Sequence, residues 1–129
     1  MKKLILATIL MLVTAFAAFA APVTKQAGDF TVISSIDKNP PVKGTNNISV
    51  IINDKDGKAV ENAKVGVYYS MPAMPGMPPM DYRVMAEFKN GAYAAPMDLS
   101  MTGPWTVEVR FVVPPSKSIN RASFSIDVR

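Results

Sequence analysis

Residues 105–111 read Trp105-Thr106-Val107-Glu108-Val109-Arg110-Phe111, with an apolar side chain at every second position. A period of two belongs to a strand with one buried face, because successive side chains of a pleated strand leave on opposite sides. The pattern predicts Trp105, Val107, Val109 and Phe111 in a core, with Trp105 as its anchor. Thr106, Glu108 and Arg110 are predicted to face water. Working outward from this strand, the chain breaks into similar short runs, each bounded by Gly, Pro, Asn or Asp. Residues 30–34, 47–52, 63–69, 82–88, 92–95 and 122–128 are such runs, and Asp56-Gly57 and Asn90-Gly91 are turn dipeptides whose glycines accept the positive φ of a tight reversal. No segment past residue 22 keeps a 3.6-residue apolar period, and eleven prolines disfavour long helices. The predicted fold is all-β: an immunoglobulin-like, two-sheet antiparallel β-sandwich of about seven strands.

The N-terminal stretch has a different design. Met1-Lys2-Lys3 is followed by an apolar run from Leu4 to Phe16 and then by Ala18-Phe19-Ala20, the small-x-small pattern of a signal-peptidase site. Residues 1–20 therefore read as a cleavable signal peptide, with the mature chain starting at Ala21. Residues 21–129 then form a single domain, long enough to build its own core. The expected location is periplasmic or otherwise exported, with no membrane insertion after cleavage.

Charge and composition narrow the function. Of the 14 basic residues, Lys2 and Lys3 belong to the leader, which leaves 12 against 10 acidic ones. These are scattered and not interleaved with aromatics, so a nucleic-acid partner is not expected. The chain contains no His and no Cys. It can assemble neither a Ser-His-Asp triad nor a thiol nucleophile, no phosphate-cradling loop is present, and we expect no enzyme and no catalytic residue. Asp54 and Asp56 resemble the start of a calcium loop, but the later acidic ligands are missing and a turn explains them better.

One segment stands apart: Met71-Pro72-Ala73-Met74-Pro75-Gly76-Met77-Pro78-Pro79-Met80. Met71, Met74, Met77 and Met80 recur at a strict interval of three, and the prolines favour polyproline II, which has three residues per turn. In that conformation the thioethers line one edge at intervals of about 9 Å. Gathering them around one ion requires a bend, for which Gly76 is the expected place. Neutral thioether sulfur selects soft ions, so a bound ion would be Cu(I) or Ag(I). Two other readings stand beside this one. The methionines can be adaptable packing at one end of the sandwich. Alternatively, the uncharged stretch from Val65 to Met80 can serve as a docking strip, with Tyr68, Tyr69 and Tyr82. Met97 and Met101 are read as closer to the core, with Met101 able to join a site if its loop lies beside the methionine run.

Three patterns in order resemble the YtkA-like domain family, small exported or membrane-tethered immunoglobulin-like domains loosely related to FixH. They are the stretch from Asp54-Lys55-Asp56-Gly57 to Val65, the methionine run, and Gly91-Ala92-Tyr93 leading to Met101-Thr102-Gly103-Pro104-Trp105. In that family the domain occurs beside or fused to components of heavy-metal efflux systems. The resemblance thus implies a link to copper or silver handling, with an envelope metal-efflux component as partner. The function expected is that of a monomeric periplasmic accessory protein that binds Cu(I) or Ag(I) through Met71, Met74, Met77 and Met80. The alternative is a metal-free interaction module using the same strip.

Overall fold

The computed structural model describes residues 22–129, so the signal peptide expected over residues 1–20 lies outside the described residues. Nine strands and no helix form among the described residues. They are β1 (Val23–Ala27), β2 (Phe30–Ile36), β3 (Gly44–Asn53), β4 (Lys64–Met71), β5 (Met80–Met85), β6 (Glu87–Lys89), β7 (Ala92–Leu99), β8 (Gly103–Val112) and β9 (Asn120–Val128). One sheet has the order β1-β2-β3-β7-β6 and the other β5-β4-β8-β9, with every pairing antiparallel. The β2-β3-β7-β6 and β4-β8-β9 sets reproduce the strand order of the two immunoglobulin sheets, and β5 adds the edge strand of variable-type domains.

The core lies between the sheets, where the alternating residues predicted it. Trp105 is 1% exposed, and Val107, Val109 and Phe111 are buried with it on β8. Val32, Ile48, Val50, Ile52, Tyr93, Met97 and Leu99 face them from the first sheet. The indole N–H of Trp105 donates to the Met101 carbonyl at 2.9 Å, so the one polar atom of the anchor is satisfied. On the outer face, Thr106 is exposed, whereas Glu108 and Arg110 are half-buried. The Arg110 guanidinium bonds to Glu108 and lies over the Tyr68 ring, 3.9 Å from its centroid. Long charged side chains cover their own sheet with apolar stems in this way.

The nine strands correct the predicted seven at two places. First, β1 pairs with β2 through a two-residue turn, Gly28-Asp29, in which Gly28 has φ 63°. Its residues Thr24, Lys25 and Gln26 are exposed on an edge, so β1 carries no apolar alternation to read. Second, the run predicted as one strand over 82–88 is two. The chain leaves β4 after Met85, Ala86 donates its N–H to Val65 at 2.9 Å, and β6 then pairs with β7 in the opposite sheet. The strand predicted at 92–95 also runs on to Leu99 through Pro96. Proline fits there because β6 reaches only as far as Ala94, so that among the described residues no strand pairs with β7 on that side beyond it.

Both turn dipeptides have the expected conformation. Asn90 and Gly91 have φ of 52° and 84°, the type I′ turn that joins β6 to β7. At the other turn, Gly57 has φ 80° and Asp54 Oδ1 accepts the Asp56 and Lys58 N–H groups at 2.9 and 3.0 Å. The Asp54 carboxylate thus closes a turn, after which the chain crosses from β3 to the second sheet.

Candidate functional site

The methionine run connects β4 to β5. Met71 ends β4 and Met80 begins β5, and the two are Cα partners across the ladder. Between them Met74 and Met77 form a second antiparallel bridge, each donating its N–H to the other's carbonyl, at 3.0 and 2.8 Å. The reversal is Pro75-Gly76, with Gly76 at φ 80°, which is the residue chemistry of a type II turn. The extended polyproline segment is therefore not what forms: the segment is a β-hairpin that bends at Gly76. The turn overrides the polyproline bias because Pro-Gly presets both central dihedrals, and pairing of β4 with β5 then draws the ends together. Pro72, Pro78 and Pro79 have no N–H to give, so the ladder lapses between the two bridges.

The hairpin converts an interval of three into two opposed pairs, Met74 with Met77 at the turn and Met71 with Met80 at its base. Directly opposed residues in an antiparallel pair have Cα atoms about 4.5–5.5 Å apart, well below the spacing of the extended form. Burial then separates the methionines from everything around them. Pro72, Ala73, Pro75, Gly76, Pro78 and Pro79 are all exposed, while Met74, Met77 and Met80 are half-buried. Met71 is 2% exposed and belongs to the core, where its Cε lies 3.1 Å from the point a Cβ on Gly103 would occupy. Its thioether can join the others only by leaving the core.

The loop between β7 and β8 lies against the base of the hairpin. Ser100 Oγ donates to Met80 Sδ at 3.6 Å and lies 3.4 Å from the Tyr82 hydroxyl. Behind them is an aromatic group: Tyr82 stacks on Tyr69 at 5.4 Å, and both rings lie 6.0 Å from that of Trp105. Met101, in the same loop, is half-buried against the core, whereas Met97 is fully buried. Ser100 is a member of this region that spacing alone does not single out, since its approach depends on how the β7–β8 loop lies against β5, whereas Tyr82 is one of the tyrosines read with the strip. Tyr69 is buried, and its hydroxyl accepts the Asp98 N–H at 3.2 Å, so it is absent from the surface strip. Among the described residues, no group of three or more His, Cys, Asp or Glu side chains is placed to hold a metal.

A two-sheet antiparallel sandwich carrying a methionine hairpin at one end is the class that fold and site define. The chain belongs to the YtkA-like family, whose model matches residues 24–110. Comparison with curated proteins and with solved structures gave no match.

Proposed function

We propose that the protein is an exported, non-enzymatic accessory domain of the cell envelope that binds Cu(I) or Ag(I) at its methionine hairpin and serves metal homeostasis or efflux. The observation that carries this reading is the hairpin itself, in which the four regularly spaced methionines form two cross-strand pairs while every residue between them points to solvent. Thioether sulfur is a soft neutral ligand and selects soft monovalent ions over Zn(II) or Mg(II). Met74, Met77 and Met80 are the ligands reachable from solvent, and Met71 becomes a fourth only if its side chain leaves the core. Thioethers also resist the disulfide chemistry that consumes thiols in oxidising compartments.

Titration of the purified protein with Ag(I) tests this. Binding is expected to shift the methyl resonances of Met74, Met77 and Met80 together, with Met97 unmoved and Zn(II) without effect. Replacing Met71, Met74, Met77 and Met80 by Leu is a swap of similar volume that should leave the sandwich folded. If that variant binds Ag(I) as tightly as the parent, the metal reading is wrong. The proline-lined outer surface of the hairpin would then stand as a protein-docking strip, the second reading favoured by the exposure of Pro72, Pro75, Pro78 and Pro79.

A further inference from the structure

Three of the five large apolar side chains exposed among the described residues, Tyr82, Met85 and Phe88, lie on the stretch from β5 to β6. Among the described residues, β5 is an edge strand with β4 as its neighbour on one side only. Its cross-strand partners fix which way it faces. Met80, Tyr82 and Val84 oppose the buried Met71, Tyr69 and Val67 and share their inner face. Asp81, Arg83 and Met85 take the outer face. The inner row is incompletely covered, with Tyr82 40% exposed and Met80 and Val84 half-buried. Neither Asp81 nor Arg83 has an ion-pair partner among the described residues. An uncovered strand edge is a template for pairing unless charge or shape blunts it.

We propose that β5 is a self-pairing edge, at which a second copy of this chain adds its own β5 antiparallel across a two-fold axis at Tyr82. The charges carry the proposal. Centred on Tyr82, the pairing sets Asp81 opposite the partner's Arg83 and Arg83 opposite the partner's Asp81. Met80 then meets the partner's Val84, and the two Tyr82 rings meet at the axis. Opposite charges directly across a ladder attract and like charges repel. Registers that keep both apolar rows on the inner face must shift the centre by a whole residue. Centring on Arg83 sets it against the partner's Arg83, and centring on Asp81 sets it against the partner's Asp81. Only the Tyr82 register pairs opposite signs. The free edge begins at Met80, because Pro79 before it has no N–H to offer, and ends where the chain passes from β5 to β6, which pairs with β7 in the other sheet.

The other edge of the same sheet is less available. β1 lies alongside β9, and its inner residues Phe124 and Ile126 are half-buried against the core. In the β5 dimer the two methionine hairpins extend from opposite ends of the joined strands, so each copy keeps its own. Met80 is the one candidate ligand that the joined strands bring against the partner.

Sedimentation velocity of the purified protein over a range of concentrations tests the proposal. The parent should show a reversible monomer–dimer equilibrium that weakens with added salt. Asp81→Arg and Arg83→Asp each place like charges across both symmetric pairs and should weaken dimerisation about tenfold or more. The double variant carrying both changes restores opposite pairs in reversed order and should regain the parent's affinity. Both residues are exposed, and an unchanged far-UV circular dichroism spectrum checks that the fold survives. A parent that stays monomeric throughout overturns the proposal. So does association that the single changes leave intact, or a double variant no stronger than the single ones.

Discussion

The indole of Trp105 sits between strands of both sheets, with the rings of Tyr69 and Tyr82 beside it and its N–H on the Met101 carbonyl. Trp105→Ala empties that volume and leaves the carbonyl without its donor. A loss of about 3–5 kcal/mol is expected, from a domain stability of about 5–15 kcal/mol. Urea denaturation measures it directly, and a loss below about 1 kcal/mol would mean that the site collapses without cost. Asp37 gives a second prediction. Slight burial pushes its carboxyl upward in pKa. The backbone and side-chain N–H groups of Asn47, at 2.8 and 3.0 Å, together with Lys38, outweigh this and hold it below the ordinary value. A carboxyl lowered in the folded state contributes stability above its unfolded pKa and loses it as pH falls through the folded one. Asp37→Ala should therefore destabilise near neutrality and show a shallower loss on acidification below about pH 4, as read from urea midpoints across that range. Trp105 was legible from the sequence because alternation on β8 marks its face. The difference between Met71 in the core and Met74 outside it was not, because an interval of three does not say where a strand ends.

At the scale of the element, the β4–β5 hairpin depends on one dihedral. Gly76 holds φ at 80°, which proline, locked near about −65°, cannot adopt. Gly76→Pro should open the turn and weaken Ag(I) binding while the circular dichroism spectrum of the sandwich persists. Gly76→Ala should do so more mildly, since a left-handed residue with a Cβ costs roughly 1–2 kcal/mol. Retention of the parent's Ag(I) affinity in the proline variant would show that the hairpin does not assemble the ligands. The place of the bend was readable from Pro75-Gly76, but the pairing of Met71 with Met80 is a tertiary result of β4 meeting β5. A comparable blind spot hides the change of sheet at Ala86. Even-numbered residues from Met80 through Phe88 face inward on both sides of the crossing, since Phe88 pairs with the buried Tyr93. The apolar row at even positions runs on without a gap, and the one apolar residue that breaks the alternation, the exposed Met85, does not by itself say that one strand becomes two.

For the whole molecule, the absence of Cys leaves the core to hold the fold without disulfides, and two measurements follow. Protein recovered from the envelope should begin at or near Ala21, because Ala18 and Ala20 provide the small side chains that the peptidase site requires. N-terminal sequencing decides this, and retention of Met1 would make the segment an anchor. The second measurement couples metal to fold. Met74 and Met77 oppose one another, with Met80 at the base of the same turn, only while the hairpin is closed, and the hairpin is closed only while β4 and β5 pair. An ion that needs those three sulfurs together binds the folded chain in preference to the unfolded one, where the prolines spread the sulfurs along an extended segment. Such a ligand stabilises the fold by about 2.7 kcal/mol when its free concentration is a hundred times its dissociation constant. For a domain of this size that corresponds to a rise in melting temperature on the order of 10 °C. Differential scanning calorimetry should therefore show the transition climbing with the logarithm of Ag(I) concentration and indifferent to Zn(II). Tight Ag(I) binding with an unmoved transition would place the ion equally well on the unfolded chain, and the closed hairpin would then have no part in holding it.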